Sequence, residues 1–177
     1  MTCLWQHLSS SSEIMKDTFE TQRLLLSKIT LEDAPFIFEL VNTPGWLKFI
    51  GDRNVKRLDD AKRYIEKLLD TPKLTYWTVR SKSTQDELGV ITFMKRDYLD
   101  YYDIGFAFLS QHMNKGYAFE ASNEVLNYVL KELKMPTVVA TTLADNIDSI
   151  SLLEKLGLQF EKRIAIEKLE LLVYSTK

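Results

Sequence analysis

The sequence predicts a single α+β domain, and three observations lead to that fold class. The chain has 177 residues, of which 45% are hydrophobic, and this matches one globular domain with a full core. Apolar residues recur at helical spacing early in the chain, whereas residues 74–109 are rich in the aromatic and β-branched residues that favour strands. A long amphipathic segment then precedes an uncharged, β-rich run at residues 137–144, which indicates a strand–helix–strand unit.

The first elements alternate between strand and helix. The run RLLLSKI predicts a strand, and Thr30 followed by Asp33 is typical of a capping box at a helix start. That helix should end before Pro44, where proline and glycine favour a turn, and a second helix should run from Asp59 to Pro72. The loop between the two helices is expected to hold Trp46, Phe49 and Ile50.

The second half of the chain predicts a meander followed by the strand–helix–strand unit. Its helices are expected at residues 117–134, where apolar residues have a period near 3.6, and at 149–156, closed by Gly157. The predicted strands of this half are residues 74–80, 88–95, 101–109, 137–144, 160–166 and 169–174.

The amino-terminal segment, residues 1–17, is expected to be a disordered leader ahead of a domain at 18–177. The single cysteine, Cys3, cannot form an internal disulfide, which favours a reducing compartment. Residues 1–12 form the longest uncharged run, which is too short and polar to cross a bilayer and lacks the basic start of a signal peptide. We therefore expect a cytoplasmic protein with no membrane partner.

Charge and composition narrow the ligand classes. The formal net charge is −2, so no global field attracts nucleic acid, and we expect no nucleic-acid partner. His and Cys residues do not occur at metal-ligand spacing, and no metal is expected. An anionic ligand must then be held by a local binding site and not by the overall charge of the protein.

The segment between the strand ending at Leu109 and the helix starting at Tyr117 offers such a device. A turn that feeds a helix N-terminus presents free backbone N–H groups and the positive end of the helix dipole, and this arrangement binds phosphate. Gly116 and Asn114 are residue types that tolerate positive φ, so a ligand can approach the backbone closely. The alternative is that this glycine serves turn geometry alone.

Three stretches occur in the order found in a known family. Residues 111–116, QHMNKG, match the pattern Arg or Gln, two residues, Gly, one residue, Gly or Ala, with Asn114 replacing the first glycine. Residues 145–158, DNIDSISLLEKLGL, and residues 21–30, TQRLLLSKIT with Arg23, supply the other two. Through these motifs the chain resembles the GNAT superfamily of N-acetyltransferases, in the branch of the ribosomal-protein N-terminal (alanine/serine) acetyltransferases.

The resemblance implies a fold and a cosubstrate. The fold would be a mixed, mostly antiparallel twisted sheet of six to seven strands with about four helices and splayed central strands. The cosubstrate would be acetyl-CoA, with its pyrophosphate on the backbone of the turn and its pantetheine arm between the splayed strands. The residues expected to bind it are Phe108, Leu109, Gln111, Asn114, Lys115, Gly116, Tyr117, Ala118, Asn146 and Ser149. Backbone N–H groups near Phe108 and Leu109 would face the thioester carbonyl.

The resemblance also implies catalytic residues. Many superfamily members place a tyrosine on the last helix to serve the departing thiolate, but that position is Leu153 here. In the branch the serine of the second motif is the substitute, so Ser149 is our candidate; the alternative is that Ser149 or Asp148 is the helix N-cap. For the general base we favour Asp103, with two lesser candidates downstream: Glu161 and Glu167.

The implied function is direct acetyl transfer from acetyl-CoA to a primary amine. The acceptor stays open between a protein N-terminus and a small-molecule amine, such as a polyamine, an aminoglycoside or an amino acid. The charged pair Asp52–Arg53 suggests recognition of an amine or a carboxylate, and a solvated loop pair is the alternative. A non-catalytic acyl-CoA-binding or regulatory domain is the alternative function, and the assembly is expected to be a monomer or homodimer.

Overall fold

The computed structural model describes residues 15–177. Five α-helices occur in this part of the chain: α1 (Ala34–Val41), α2 (Pro44–Phe49), α3 (Leu58–Leu69), α4 (Tyr117–Asn127) and α5 (Ile147–Lys155). The strands are β1 (Thr18–Glu20), β2 (Leu24–Lys28), β3 (Leu74–Ser81), β4 (Glu87–Lys95), β5 (Tyr102–Phe108), β6 (Val138–Thr142), β7 (Gln159–Ile166) and β8 (Leu169–Ser175).

The strands form one sheet in the order β1-β2-β3-β4-β5-β6-β8-β7. All neighbours are antiparallel except β5 and β6, which run parallel and pair only at Tyr102 with Val138 and at Asp103 with Val139. Beyond those pairs the two strands separate, while β5 stays paired with β4 as far as Phe108. The predicted mixed, mostly antiparallel fold with splayed central strands is confirmed.

Helices cover both faces of the sheet. Successive side chains of β3 point to opposite faces, so Trp77 packs with α4 and Tyr76 packs with α1 and α3. The Leu153 side chain of α5 lies in the same core as α4. The carboxyl-terminal half of β5 is therefore bordered by two helical layers and by the gap beside β6.

The sheet has one strand more than the upper predicted number, and the helices number five rather than four. The extra strand, β1, is three residues long and pairs with β2. The extra helix, α2, corrects the loop that was expected to hold Trp46, Phe49 and Ile50. Pro44 opens α2 at the first helical position, where its missing N–H costs nothing, and the Thr43 hydroxyl accepts from the Trp46 N–H at 3.3 Å.

The long predicted helix at 117–134 also differs in its last part. Residues Tyr128–Glu132 are π-helical, and the chain leaves the helix after Leu133. The buried side chains of Val125 and Val129 remain on the sheet. The capping box at Thr30 is supported, because the Asp33 carboxylate accepts from the Thr30 N–H at 2.7 Å.

Residues 1–14 of the predicted leader, including Cys3, lie outside the described residues. Residues 15–17 of the predicted leader are among the described residues. Met15 is buried in the core, and the Lys16 carbonyl accepts from the Trp77 indole N–H at 3.0 Å. Within residues 15–177, no helix is both long enough and apolar enough to cross a membrane.

Candidate active site

A cleft of about 1350 Å³ crosses the molecule at the gap between β5 and β6. One part, which we call the turn half, is lined by the segment 105–119 and by residues of β6 and α5. The other part, the tyrosine half, is lined by Tyr64, Tyr76, Tyr98, Arg53 and Arg96. Asp103 connects the two halves, because it pairs with Arg96 of the tyrosine half and accepts from the Thr141 backbone N–H of β6.

The turn before α4 has the geometry that its residue types predict. Asn114 and Gly116 both have left-handed backbones, with φ of 58° and 79°. The first helical hydrogen bond of α4 is made by the Glu120 N–H, which donates to the Gly116 carbonyl at 3.0 Å. Within residues 15–177, the N–H groups of 114–119 donate to no protein acceptor. A run of free amides therefore stands at the positive end of α4, as an anion site requires.

An ion pair outside the cleft ties this turn to the first hairpin. The Glu120 carboxylate accepts from the Thr21 hydroxyl at 2.5 Å, the Arg23 N–H at 2.9 Å and the Arg23 Nε at 2.7 Å. Arg23 Nη1 also donates to the Lys115 carbonyl at 3.0 Å, and its guanidinium stacks on the Tyr117 ring. Burial works to raise the pKa of Glu120, but these donors together lower it. The Arg23–Glu120 pair thus fixes both ends of the turn.

The gap beside β5 exposes backbone donors. The Leu109 N–H donates to the Leu88 carbonyl at 2.9 Å, which makes Leu88 and Leu109 a hydrogen-bonded pair of β4 and β5. Because such pairs alternate along an antiparallel ladder, the N–H of Phe108 points away from β4 and into the gap. The expectation that Leu109 also presents a free N–H is wrong, since that group is used in the sheet and the side chain is buried.

Asp103 lies where β5 and β6 part. Its side chain is 3% exposed and forms an ion pair with Arg96. Burial raises the pKa of Asp103, and the Arg96 guanidinium and the Thr141 backbone N–H act in the opposite direction. Burial works to lower the pKa of Arg96, but the Asp103 carboxylate raises it. The Asp103 carboxylate thus accepts a hydrogen bond from the Thr141 backbone N–H, close to the point where the pairing between β5 and β6 ends.

Helix α5 contributes the second predicted group. Asn146 is its N-cap and accepts from the Ser149 N–H at 3.3 Å, so Ser149 and Asp148 are not the cap. The Ser149 hydroxyl is half-buried, lines the cleft and has no hydrogen-bond partner within residues 15–177. Leu153, at the position of the absent tyrosine, is fully buried in the core.

The tyrosine half is polar at its floor. Burial raises the pKa of Tyr76 well above its ordinary value, and the neighbouring Tyr64 hydroxyl, to which it is hydrogen-bonded, adds to the increase. Arg53 and Arg96 lie close enough to Tyr76 to lower that pKa slightly. The phenol is therefore a neutral hydrogen-bonding group flanked by two guanidinium groups.

The remaining predicted residues divide between the cleft and its surroundings. Gln111 and Lys115 do not line the cleft, and Gln111 instead borders a smaller surface cavity with Glu39 and Glu87. Glu161 and Glu167, the lesser base candidates, lie on β7 and in the β7–β8 turn and also do not line the cleft. The structure brings these predicted residues together in it: Asp103, Phe108, Asn114, Gly116, Tyr117, Ala118, Asn146 and Ser149.

Sequence reasoning missed Glu120, Arg96 and Tyr64. Glu120 follows Gly116 by one helical turn, and an acidic residue there suits the positive end of a helix. Arg96 and Tyr64 carry no comparable local signal, because their partners are reached only through the fold. In the described part of the chain, no group of three or more His, Cys, Asp or Glu side chains is arranged to hold a metal ion.

Comparison with known proteins identifies a matching family model and a relative of the same kind. The model of the acetyltransferase (GNAT) domain matches residues 23–159. The uncharacterized N-acetyltransferase YnaD of Bacillus subtilis is 29% identical over 141 residues, which cover 80% of this chain and 82% of that protein. The crystal structure of a GNAT-family acetyltransferase from Bacillus anthracis has a TM-score of 0.77 and 26% identity, covering 89% of this chain and 96% of that one.

Two solved structures with named substrates share the fold at lower identity. Ribosomal-protein-S5-alanine acetyltransferase from Vibrio fischeri has a TM-score of 0.73 and 17% identity, over 89% of this chain and 94% of that one. Spermidine N-acetyltransferase from Vibrio cholerae, in complex with CoA and spermine, has a TM-score of 0.72 and 16% identity, over 88% and 95%. At such identities the likeness concerns the fold alone.

Proposed function

The chain belongs to the GNAT acetyltransferase family, and we propose that it transfers the acetyl group of acetyl-CoA directly to a primary amine. The observation that carries the proposal is the run of free backbone N–H groups at residues 114–119, beside an open gap in the sheet. These amides suit the pyrophosphate of coenzyme A, and the gap suits its extended pantetheine arm.

Each step of the transfer has a group in the cleft to serve it. Acetyl-CoA supplies an activated thioester carbonyl. The Phe108 N–H points into the gap, where it can donate to the oxygen that gains charge as the amine attacks. The new carbon–nitrogen bond forms as the carbon–sulfur bond breaks, so the amine loses a proton and coenzyme A leaves with the sulfur electron pair.

Two side chains in the cleft serve the two ends of the reaction: one removes the proton of the amine, and the other donates a hydrogen bond to the departing sulfur. Asp103 acts as the base that takes the amine proton through water, and burial, which raises its pKa, favours that role. The Ser149 hydroxyl donates to the departing sulfur, because it is otherwise without a partner in the described residues. Asn146 binds the pantetheine arm through its amide –NH₂ group, since its Oδ1 already caps α5.

The acceptor in this proposal is a protein N-terminus or a small-molecule amine. Membership in the ribosomal-protein acetyltransferase branch is part of the proposal, and the motif at residues 145–158 supports it. The fold shared with the S5-alanine and spermidine acetyltransferases is compatible with either acceptor. Acceptors of the two classes differ in the charged groups that they carry beside the reacting amine. The charged side chains of the tyrosine half are therefore the groups that should distinguish between them.

The experiment is an assay of thiol release from acetyl-CoA with a panel of amines and peptide N-termini. Release that depends on the acceptor, with the acetylated amine detected by mass spectrometry, is the expected result. A non-catalytic acyl-CoA-binding domain would instead bind coenzyme A and release no thiol with any amine. That outcome would overturn the proposal, whereas thiol release without acceptor would indicate hydrolysis.

A further inference from the structure

The acidic side chains of the tyrosine half are already engaged. Asp52 pairs with Lys56 at 3.2 Å and accepts from the Asn54 N–H at 2.7 Å. Asp60 accepts from the backbone N–H of Lys56 at 3.0 Å, at the start of α3, and also pairs with Arg63. Asp103 is held by Arg96, as described above. Apart from the contact of Asp103 with the reacting amine, none of these carboxylates is left to bind a further cation of the acceptor.

The basic side chains of the same half are not balanced. Arg53 and Lys67 both line it, and neither forms an ion pair within residues 15–177. The positive charge of Arg53 also acts on the Tyr76 phenol, which is hydrogen-bonded to Tyr64, and all three side chains line the cleft. A guanidinium fork beside a hydroxyl is a binding site for a carboxylate.

We propose that the acceptor is a primary amine that also carries a carboxylate, and that Arg53 binds this carboxylate with help from the Tyr64 hydroxyl. This inference rests on the proposed function and names its substrate class. A free amino acid is the simplest molecule of this kind. The carboxylate would anchor the acceptor in the tyrosine half, and its amine would then approach Asp103 at the junction with the turn half.

A polyamine fits this half poorly. After the reacting amine, spermidine carries further cations, and each needs a free carboxylate or a water-exposed position. Here it would meet Arg53 and Lys67, while the nearby carboxylates are occupied. Like charges brought together in a cleft disfavour binding. We therefore expect spermidine to be a worse acceptor than an amino acid.

The test uses matched acceptors that differ only in the carboxylate. Initial rates are measured with L-amino acids of several side chains, with the corresponding L-amino-acid amides, and with spermidine. The amide acceptors have the more easily deprotonated amine, so chemistry alone favours them. We expect kcat/KM for the acids to exceed that for the amides by at least ~10-fold, because an anionic group gains charge-assisted hydrogen bonds. Equal rates, or a preference for amides or spermidine, would overturn the inference.

Variants then assign the effect to Arg53. Arg53→Gln should raise KM for the acids by at least ~10-fold and leave KM for the amides and for acetyl-CoA unchanged. Lys62→Gln is the matched control, because Lys62 is an exposed cation of α3 that does not line the cleft. An Arg53→Gln effect of equal size on acids and amides, or an equal effect of Lys62→Gln, would contradict the assignment.

The same assay separates the two proposals. If amides or polyamines are acetylated and acids are not, the acetyltransferase function stands and the carboxylate site is wrong. If no amine of any kind supports thiol release, the proposed function fails and the carboxylate site fails with it.

Discussion

The two halves of the cleft are built from different parts of the polypeptide. The turn half presents mainly backbone donors, the free amides of residues 114–119 and the Phe108 N–H. The tyrosine half presents side chains, among them Tyr76, Arg96 and Arg53, which come from one strand and two loops. The backbone donors of the turn half thus come from one short stretch of chain, whereas the side chains of the tyrosine half come from distant segments.

This difference matches the ligands that each half would hold. A backbone site needs no net charge, which is how a protein of net charge −2 can bind a cosubstrate with several phosphates. A side-chain site can change its charge and shape without changing the turn, because its residues do not form the anion cradle. Side-chain substitutions in the turn motif, residues 111–116, that leave the backbone intact should therefore change acetyl-CoA affinity little, whereas substitutions in the tyrosine half should change acceptor binding.

The largest expected effect comes from the residue where the halves meet. Asp103→Asn should lower kcat/KM by about 100-fold near neutral pH, as loss of a general base does. A base acts when it is deprotonated, and the pKa of Asp103 is raised from 3.8, so the wild-type rate should fall as acid protonates it. The deficit of the variant should shrink above the pKa of the acceptor amine, which is then neutral without help. The pH–rate profiles of both proteins check this.

Arg96→Gln is the comparison for Asp103→Asn. Both variants break the same ion pair and should lower the free energy of unfolding by about 2 kcal/mol, a value reduced because Arg96 is partly exposed. Arg96→Gln keeps the carboxylate and should keep most of the activity. If both variants lose activity equally at every pH, Asp103 positions the strands and is not the base.

Gly116→Val should produce the next largest effect, on the turn half. A β-branched residue is strained at a φ of 79°, and its Cβ would lie 3.2 Å from Arg23 Nη2, so the guanidinium must give way and the strained backbone is expected to relax. We expect the affinity for acetyl-CoA, measured by calorimetry, to fall by at least ~10-fold as the amides of the turn lose alignment.

Gly157→Val is a matched control for backbone strain. Gly157 also has positive φ, at 89°, but it follows α5, does not line the cleft and has no atom within 4 Å of an added Cβ. The Gly157→Val variant should be less stable than the wild type but should bind acetyl-CoA with the same affinity. Equal affinity losses in the two variants would show that destabilisation alone accounts for the Gly116 effect.

The sequence allowed the turn half to be predicted in more detail than the tyrosine half, for a physical reason. Left-handed backbone restricts residue type, so Asn114 and Gly116 carry a local signature of the turn they form. The Arg96–Asp103 pair and the Tyr64–Tyr76 contact carry none, because either side chain alone is ordinary in a strand or helix. Such contacts depend on strand register and helix packing.

The fold shows the same limit on a smaller scale. The long strands were predictable, since their composition and period extend over many residues. Helix α2 was not, because Pro44 and Gly45 favour a turn locally and only the Thr43 cap and the burial of Trp46 settle the matter. Strand β1 is too short to show a period, and it exists through pairing with β2.

Ser149→Ala tests the side chain that the proposal places in the turn half. The hydroxyl is not the cap of α5, so the melting temperature should change little, while kcat should fall about fivefold through loss of one hydrogen bond to the sulfur. KM for acetyl-CoA should stay the same. Glu154→Gln, on the same helix, exposed and away from the cleft, is the control and should change neither parameter. Unchanged kcat in Ser149→Ala would remove the serine from the mechanism.

Glu120→Gln addresses the pair that fixes the turn from outside. The pKa of Glu120 is lowered from 4.5 in the folded protein, so its contribution to stability is present above that value and is lost as the pH falls through the folded pKa. The variant should be less stable than wild type by about 1 kcal/mol at neutral pH, with the difference disappearing in acid. Urea unfolding at several pH values measures this, and Glu124→Gln on the next turn is the control, because Glu124 forms no ion pair within residues 15–177. If the difference in the free energy of unfolding persists in acid, the Glu120 side chain stabilises the protein through its packing and not through its charge.

The smallest effect is expected at Gln111, the first residue of the turn motif. Its side chain borders a separate surface cavity with Glu39 and Glu87, so any contact with the cosubstrate must come from its backbone. Gln111→Ala keeps that backbone and should change acetyl-CoA affinity by less than ~2-fold, which is below the loss of one net hydrogen bond. A tenfold loss would show that the side chain reaches the cosubstrate, and the turn half could then no longer be described as a backbone site.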